Sequence, residues 1–170
     1  MSARCLESSV RALVLVTAGL VVGCATARDA PERTLCEPTE AVVFSCSVGQ
    51  KMVSLCSPAA APRSLAYRFG APGMIELAYP DRGAVGSFEW ASAPRYGGAI
   101  TSVNFNSGGY EYSVYASLGR ASGGANTGDP EFEDGVSVSR GGRRIKSLVC
   151  DDGGAGFRQS IEWLPRRPGN

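Results

Sequence analysis

Histidine is absent from all 170 residues, which removes the side chain that most readily moves protons near neutral pH. Ser-His-Asp and Cys-His catalysis are thereby excluded, as are H-E-x-x-H zinc sites. The histidine-free signatures G-x-S-x-G, S-x-x-K and G-x-x-x-x-G-K-S/T do not occur either. No enzyme activity and no cofactor are expected. Lysine is scarce, with Lys51 and Lys146 the only two. No internal repeat is present, and beyond the first 23 residues no stretch shows a 3.6-residue apolar face, so helix content should be low. The longest apolar run, Ala12 to Val22, covers 11 residues, short of the roughly 18 that a helix needs to cross a bilayer.

That run has a meaning of its own. Arg4 and Arg11 flank a polar start, the apolar core follows, and small residues close it, which is the layout of an export signal. Val21-Val22-Gly23-Cys24 resembles the lipobox of bacterial lipoproteins. The resemblance implies cleavage before Cys24, acylation of Cys24 and, with Ala25 next, an outer-membrane lipid anchor facing the periplasm. Ala25-Thr26-Ala27 is a competing cleavage pattern, and a cut after Ala27 would release a soluble periplasmic or secreted protein. Residues 1–23 are thus read as signal peptide and 24–34 as a lipidated cysteine with a flexible tether. Fully extended, the ten residues Ala25 to Thr34 reach at most about 35 Å. Without Arg4, Arg11 and Glu7, basic and acidic residues balance, so no net field gathers nucleic acid, and no nucleic-acid partner is expected.

From Ala41 onward the chain breaks into short β-like runs punctuated by Gly, Pro, Asn and Asp. Ala41 to Ser47 and Lys51 to Ser57 flank Val48-Gly49-Gln50, which reads as a three-residue hairpin loop. Ser64 to Phe69 and Met74 to Tyr79 alternate apolar and polar residues around the turn Gly70-Ala71-Pro72-Gly73. Further strands are expected at Gly86 to Ser92, Ala99 to Asn106, Tyr110 to Leu118, Gly135 to Ser139 and Arg143 to Cys150, with a weaker one near Ser160 to Leu164. Gly119 to Asp134 reads as a long, mobile surface loop. The fold class is all-β: one antiparallel sandwich or barrel of about 8 to 10 short strands over residues 35–165. Residues 166–170 read as a disordered tail.

Four cysteines, Cys36, Cys46, Cys56 and Cys150, fall in that domain, an even number suited to two disulfides in an oxidising compartment. Their spacing contains no C-x-x-C, which leaves a four-thiolate zinc site as a minor reading. If Val48-Gly49-Gln50 is the loop, Ser47 faces Lys51, Cys46 faces Met52 and Val42 faces Cys56. Cys46 then lies about four residues along the strand from Cys56, near 13 Å and beyond disulfide reach. The geometry favours Cys36 with Cys56 and Cys46 with Cys150.

Several groups invite a functional reading, each beside a plainer one. The carboxylates of Pro130 to Gly135 and of Asp151-Asp152-Gly153-Gly154 could ligate calcium, although neither has EF-hand spacing and solvated loop acids are commoner. Arg140, Arg143, Arg144 and Lys146 surround the Gly141-Gly142 turn and could meet an anionic polymer or headgroup. Tyr110, Tyr112 and Tyr115 could form a carbohydrate platform, but alternation places Tyr110 and Tyr112 on one face with Val114, where core is the simpler role. A hydrolase with paired carboxylates would draw on Glu76, Glu89, Asp151 or Asp152.

The segment Cys36, Phe44-Ser45-Cys46, Gly49, Lys51, Val53-Ser54-Leu55-Cys56, Tyr67-Arg68-Phe69-Gly70, Ile75-Glu76-Leu77 resembles a family of small exported bacterial proteins of unassigned function. Gly109 to Tyr115 and Cys150 fit the same pattern. The resemblance implies membership and carries no catalytic residue. Ala41 to Val53 is also similar to the opening hairpin of membrane-bound lysozyme inhibitors, small lipoproteins with a disulfide-stapled barrel. The expected function is a non-enzymatic envelope lipoprotein, a binding or structural module with a protein or glycan partner, and the alternative is a periplasmic lysozyme inhibitor.

Overall fold

A computed structural model describes residues 33–61, 63–121, 128–151, 153 and 155–168. The signal segment, Cys24 and Ala27 lie outside the described residues, as do Asp152 and Gly154. Nine strands and no helix occur among the described residues: β1 (Glu40–Val48), β2 (Lys51–Pro58), β3 (Ala66–Ala71), β4 (Met74–Tyr79), β5 (Glu89–Arg95), β6 (Gly98–Ser107), β7 (Tyr110–Arg120), β8 (Pro130–Arg140) and β9 (Arg143–Val149). They form two antiparallel sheets in simple sequence order, β1 to β4 and β5 to β9. Each strand pairs with its chain neighbour, as short connections demand.

The two sheets share one core. Phe44, Leu55 and Tyr67 sit side by side across β1, β2 and β3, and Val103, Val114 and Val136 do the same across β6, β7 and β8; all belong to one buried cluster. Aromatic rings bridge the sheets: Tyr67 lies 4.9 Å and Tyr79 4.6 Å from Phe105, centroid to centroid. This resolves sandwich against barrel in favour of two facing sheets.

The first hairpin differs from expectation in an instructive way. Its turn has two residues, not three, because Gly49 adopts a φ of 62° that only glycine takes readily. Val48 therefore faces Lys51 and Cys46 faces Val53. A bulge at Val43 then restores the expected pairing, with Val42 opposite Cys56. The structure joins Cys36 to Cys56 and Cys46 to Cys150, with Cα atoms 5.4 and 5.6 Å apart. Alternation puts Cys56 on the outer face of its sheet and Cys46 on the core side, so one bridge staples the outside and the other the interior.

Three expected boundaries shift. Pro130 to Asp134 is strand rather than loop, because Glu131 and Glu133 find partners in Arg95 and Tyr115. Ser160 to Leu164 is not a strand; it turns, with the Leu164 amide bonded to the Ile161 carbonyl, and buries Ile161 and Leu164. Both ends of the domain extend further than composition suggests. Arg33 and Thr34 bond to Ser45 and Ser54, while Arg166 bridges Trp90 in parallel and Arg167 pairs with Glu111. The free edge of β1 is covered by the segment after β9, through Asp151 N to Ser47 O and Arg158 N to Val43 O.

Candidate functional site

Directly paired residues share a face of the sheet, so the outer face of β5 to β9 can be read from the register. One row runs Glu89, Asn104, Ser113, Ser137, Ser147, and the next Ala91, Ser102, Tyr115, Gly135, Val149. Small side chains make this face a trough, and a groove of about 690 Å³ lies over it, walled by Ile100, Glu133, Arg144 and Arg167. Tyr115 forms part of its floor. The ring lies down over Gly135, where a Cβ would meet its hydroxyl at 2.8 Å and the Leu148 carbonyl at 2.3 Å. Only glycine fits there.

The charges along the groove are largely satisfied from within. The Tyr115 hydroxyl donates to Glu133 Oε1 at 2.8 Å. Burial, reinforced by that carboxylate, pushes the Tyr115 phenol up to about 12, so it stays a neutral donor at physiological pH. Arg167 Nη1 lies 2.6 Å from Glu111 Oε1, and Arg95 joins Ser117 and, at 2.7 Å, Glu131. Asn104 is 6% exposed and donates to Ser102 Oγ at 3.1 Å. No carboxylate among the described residues pairs with Arg144.

The opposite outer face, on β1 to β4, is built from the same materials and is closed. Ser45, Ser54, Arg68 and Ala78 form its row, and residues 33–36 lie across it. The Leu35 amide donates to Ser54 Oγ at 3.0 Å and Ser45 Oγ donates to the Arg33 carbonyl at 3.2 Å. Arg68 grips Glu40 with both nitrogens and donates to the Leu35 carbonyl. Burial raises the Glu40 carboxyl, but Arg68 and the Glu37 amide lower it further, leaving it below the ordinary carboxylate range. Cys36, Glu40 and Cys56 cluster closely enough to suggest a metal site. The two sulfurs are bonded to each other and the carboxylate to Arg68, so no ligand set remains.

The other sequence-derived candidates disperse. Glu131 and Glu133 point outward while Asp134 is buried inward beside the Gly156 amide, so alternate faces prevent convergence on one cation. Asp151 caps the β1–β2 turn through the Gly49 amide. Glu76 pairs with Lys51 on the four-stranded sheet, and Glu89 sits on β5, so these acids occupy separate elements. Tyr112 stacks on Phe105 in the core at 4.9 Å, and Tyr110 carries the Arg140 guanidinium 5.2 Å above its ring. Arg144 belongs to the outer face, whereas Arg140, Arg143 and Lys146 alternate to the other, which splits the basic cluster. A second open trough, of about 960 Å³, lies between β5 to β8 and residues 155–162, with Leu118 47% and Phe132 59% exposed at its lip.

Sequence reasoning missed Asn104, the serine row and Arg167. The signal that could have found them is small polar residues recurring in one phase of successive strands, but aligning those phases requires the register. No family model, curated protein or solved structure matches the chain.

Proposed function

We propose that the chain is an exported, non-enzymatic binding or structural module of the bacterial cell envelope, anchored to the outer membrane through a lipid on Cys24 and facing the periplasm. One observation carries the reading: all four cysteines of the described domain are closed into two disulfides, the state that oxidising compartments favour. The lipobox-like Val21 to Cys24 supplies the anchor. The open groove on the five-stranded sheet supplies a surface for a partner, since a concave site with a few placed polar and charged groups suits recognition.

Metabolic labelling with a clickable fatty acid, in cells carrying the wild-type chain or Cys24→Ala, tests the anchor. Label on the wild type and none on the variant is expected. Equal absence of label would make Ala27 the cleavage site and the protein a soluble one. Lysozyme inhibition, the alternative drawn from Ala41 to Val53, rests on a hairpin whose Val43, Phe44, Cys46 and Val53 are buried. That similarity therefore concerns folding more than recognition, and a lysozyme assay with no inhibition at micromolar protein removes it.

A further inference from the structure

The molecule contains its own example of how its serine-bearing sheet faces treat a chain laid over them. On the four-stranded sheet, residues 33–36 run across Ser45 and Ser54, with a hydroxyl accepting from the Leu35 amide and another donating to the Arg33 carbonyl. A hydroxyl can donate or accept and rotates to suit, so such a row satisfies peptide groups without fixing a side-chain identity. The five-stranded sheet repeats the device, with Ser113, Ser137 and Ser147 abreast on three adjacent strands, all three lining the groove and none of them buried. At about 4.8 Å between strands the row spans roughly 10 Å, the length of about three extended residues.

We propose that this groove receives an extended polypeptide segment bearing a carboxylate, its backbone over the serine row and its acid against Arg144. This rests on the reading of the chain as a binding module and names the partner's chemistry. Charge decides the sign. Glu133 is held by Tyr115, Glu111 by Arg167 and Glu131 by Arg95, which leaves Arg144 and Arg166 as groove cations without a carboxylate among the described residues, and of the two Arg166 already lies over the Trp90 ring. A guanidinium suits a carboxylate because it presents paired donors in a plane.

The test uses the folded chain recovered from an oxidising periplasm with both disulfides closed. A linear-peptide display library is panned on it, and the enriched peptide is titrated while backbone amide shifts are followed by NMR. Enriched peptides are expected to be acidic, and to move the amides of Ser113, Ser137 and Ser147. Arg144→Ser should weaken binding about tenfold, the size of one charge-assisted hydrogen bond. Arg143→Ser, one residue away on the opposite face, should leave it unchanged, and Ser137→Trp should block it without changing the melting temperature by more than a few degrees.

Peptides that bind Ser137→Trp as well as wild type, or that lose affinity equally in Arg143→Ser and Arg144→Ser, would overturn the proposal. So would shifts at these amides produced by a uronate oligosaccharide and by no peptide. The outcome is independent of fatty-acid labelling, so failure here leaves the export reading standing, and the reverse also holds.

Discussion

The two outer faces of this sandwich are made from nearly the same residues and have opposite fates. On the four-stranded sheet, Ser54 is completely buried because residues 33–36 cross it and the Cys36 to Cys56 bridge holds them there. On the five-stranded sheet, Ser113 and Ser137 are half-buried at the base of an open groove. A buried hydroxyl without a partner costs free energy, whereas a wet one finds water. The same residue type is therefore structural on one face and available on the other, and what separates them is a covalent link that fixes a cover in place.

Removing links should break this contrast most strongly. Replacing Cys46 and Cys150 by serine opens a loop of 104 residues, and on the chain-entropy account lowers stability by about 4–5 kcal/mol. The Cys36 and Cys56 pair closes a separation of only 20, for which the same account gives about 3 kcal/mol. Denaturant unfolding measures both. The smaller loss should be the more selective one, with hydrogen exchange rising at Leu35, Ser45 and Ser54 and not across β6 to β8.

Cutting the ion pair that clamps the covered face comes next. Arg68→Met leaves Glu40 half-buried without its partner and strips a donor from the Leu35 carbonyl, at about 2–3 kcal/mol. Its pH dependence has a definite sign. Because the folded Glu40 carboxyl titrates below its unfolded value, its contribution is present above the unfolded pKa and is lost as pH falls through the folded one. Melting temperatures taken on acidification should therefore fall more steeply in wild type than in Glu40→Gln. A parallel fall would assign the acid sensitivity elsewhere.

The sharpest version of the contrast uses one substitution on both faces. Ser54→Ala removes an acceptor from the buried Leu35 amide and should cost about 1–3 kcal/mol. Ser137→Ala on the open face should stay within about 0.5 kcal/mol. Equal losses in urea unfolding would show that the second face is covered too.

Much of the fold was legible because period-two alternation survives in single strands. Met74 to Tyr79 is a strand with the expected limits, and Tyr112 faces inward as its phase with Val114 requires. The misses share a cause in pairing. Pro130 to Asp134 looks like loop by composition, yet Leu118 faces Phe132 and Ser117 faces Glu133 across the ladder. The hairpin loop at Gly49 is one residue shorter than its composition suggests, yet Cys46, opposite Val53, still lies three residues or about 10 Å along the strand from Cys56, out of disulfide reach. The serine row exists only once three strands are aligned, so no local window contains it. Arg167, 56 residues from Glu111, is likewise invisible without the segment that carries it back to β5.

Sulfur connectivity underlies the sealed face, the closed core and the proposal of export alike, so non-reducing peptide mapping of the protein taken from its own cells tests the account most directly. Linked peptides joining Cys36 with Cys56 and Cys46 with Cys150 are the predicted result. Four free thiols, or a peptide joining Cys46 with Cys56, would contradict it.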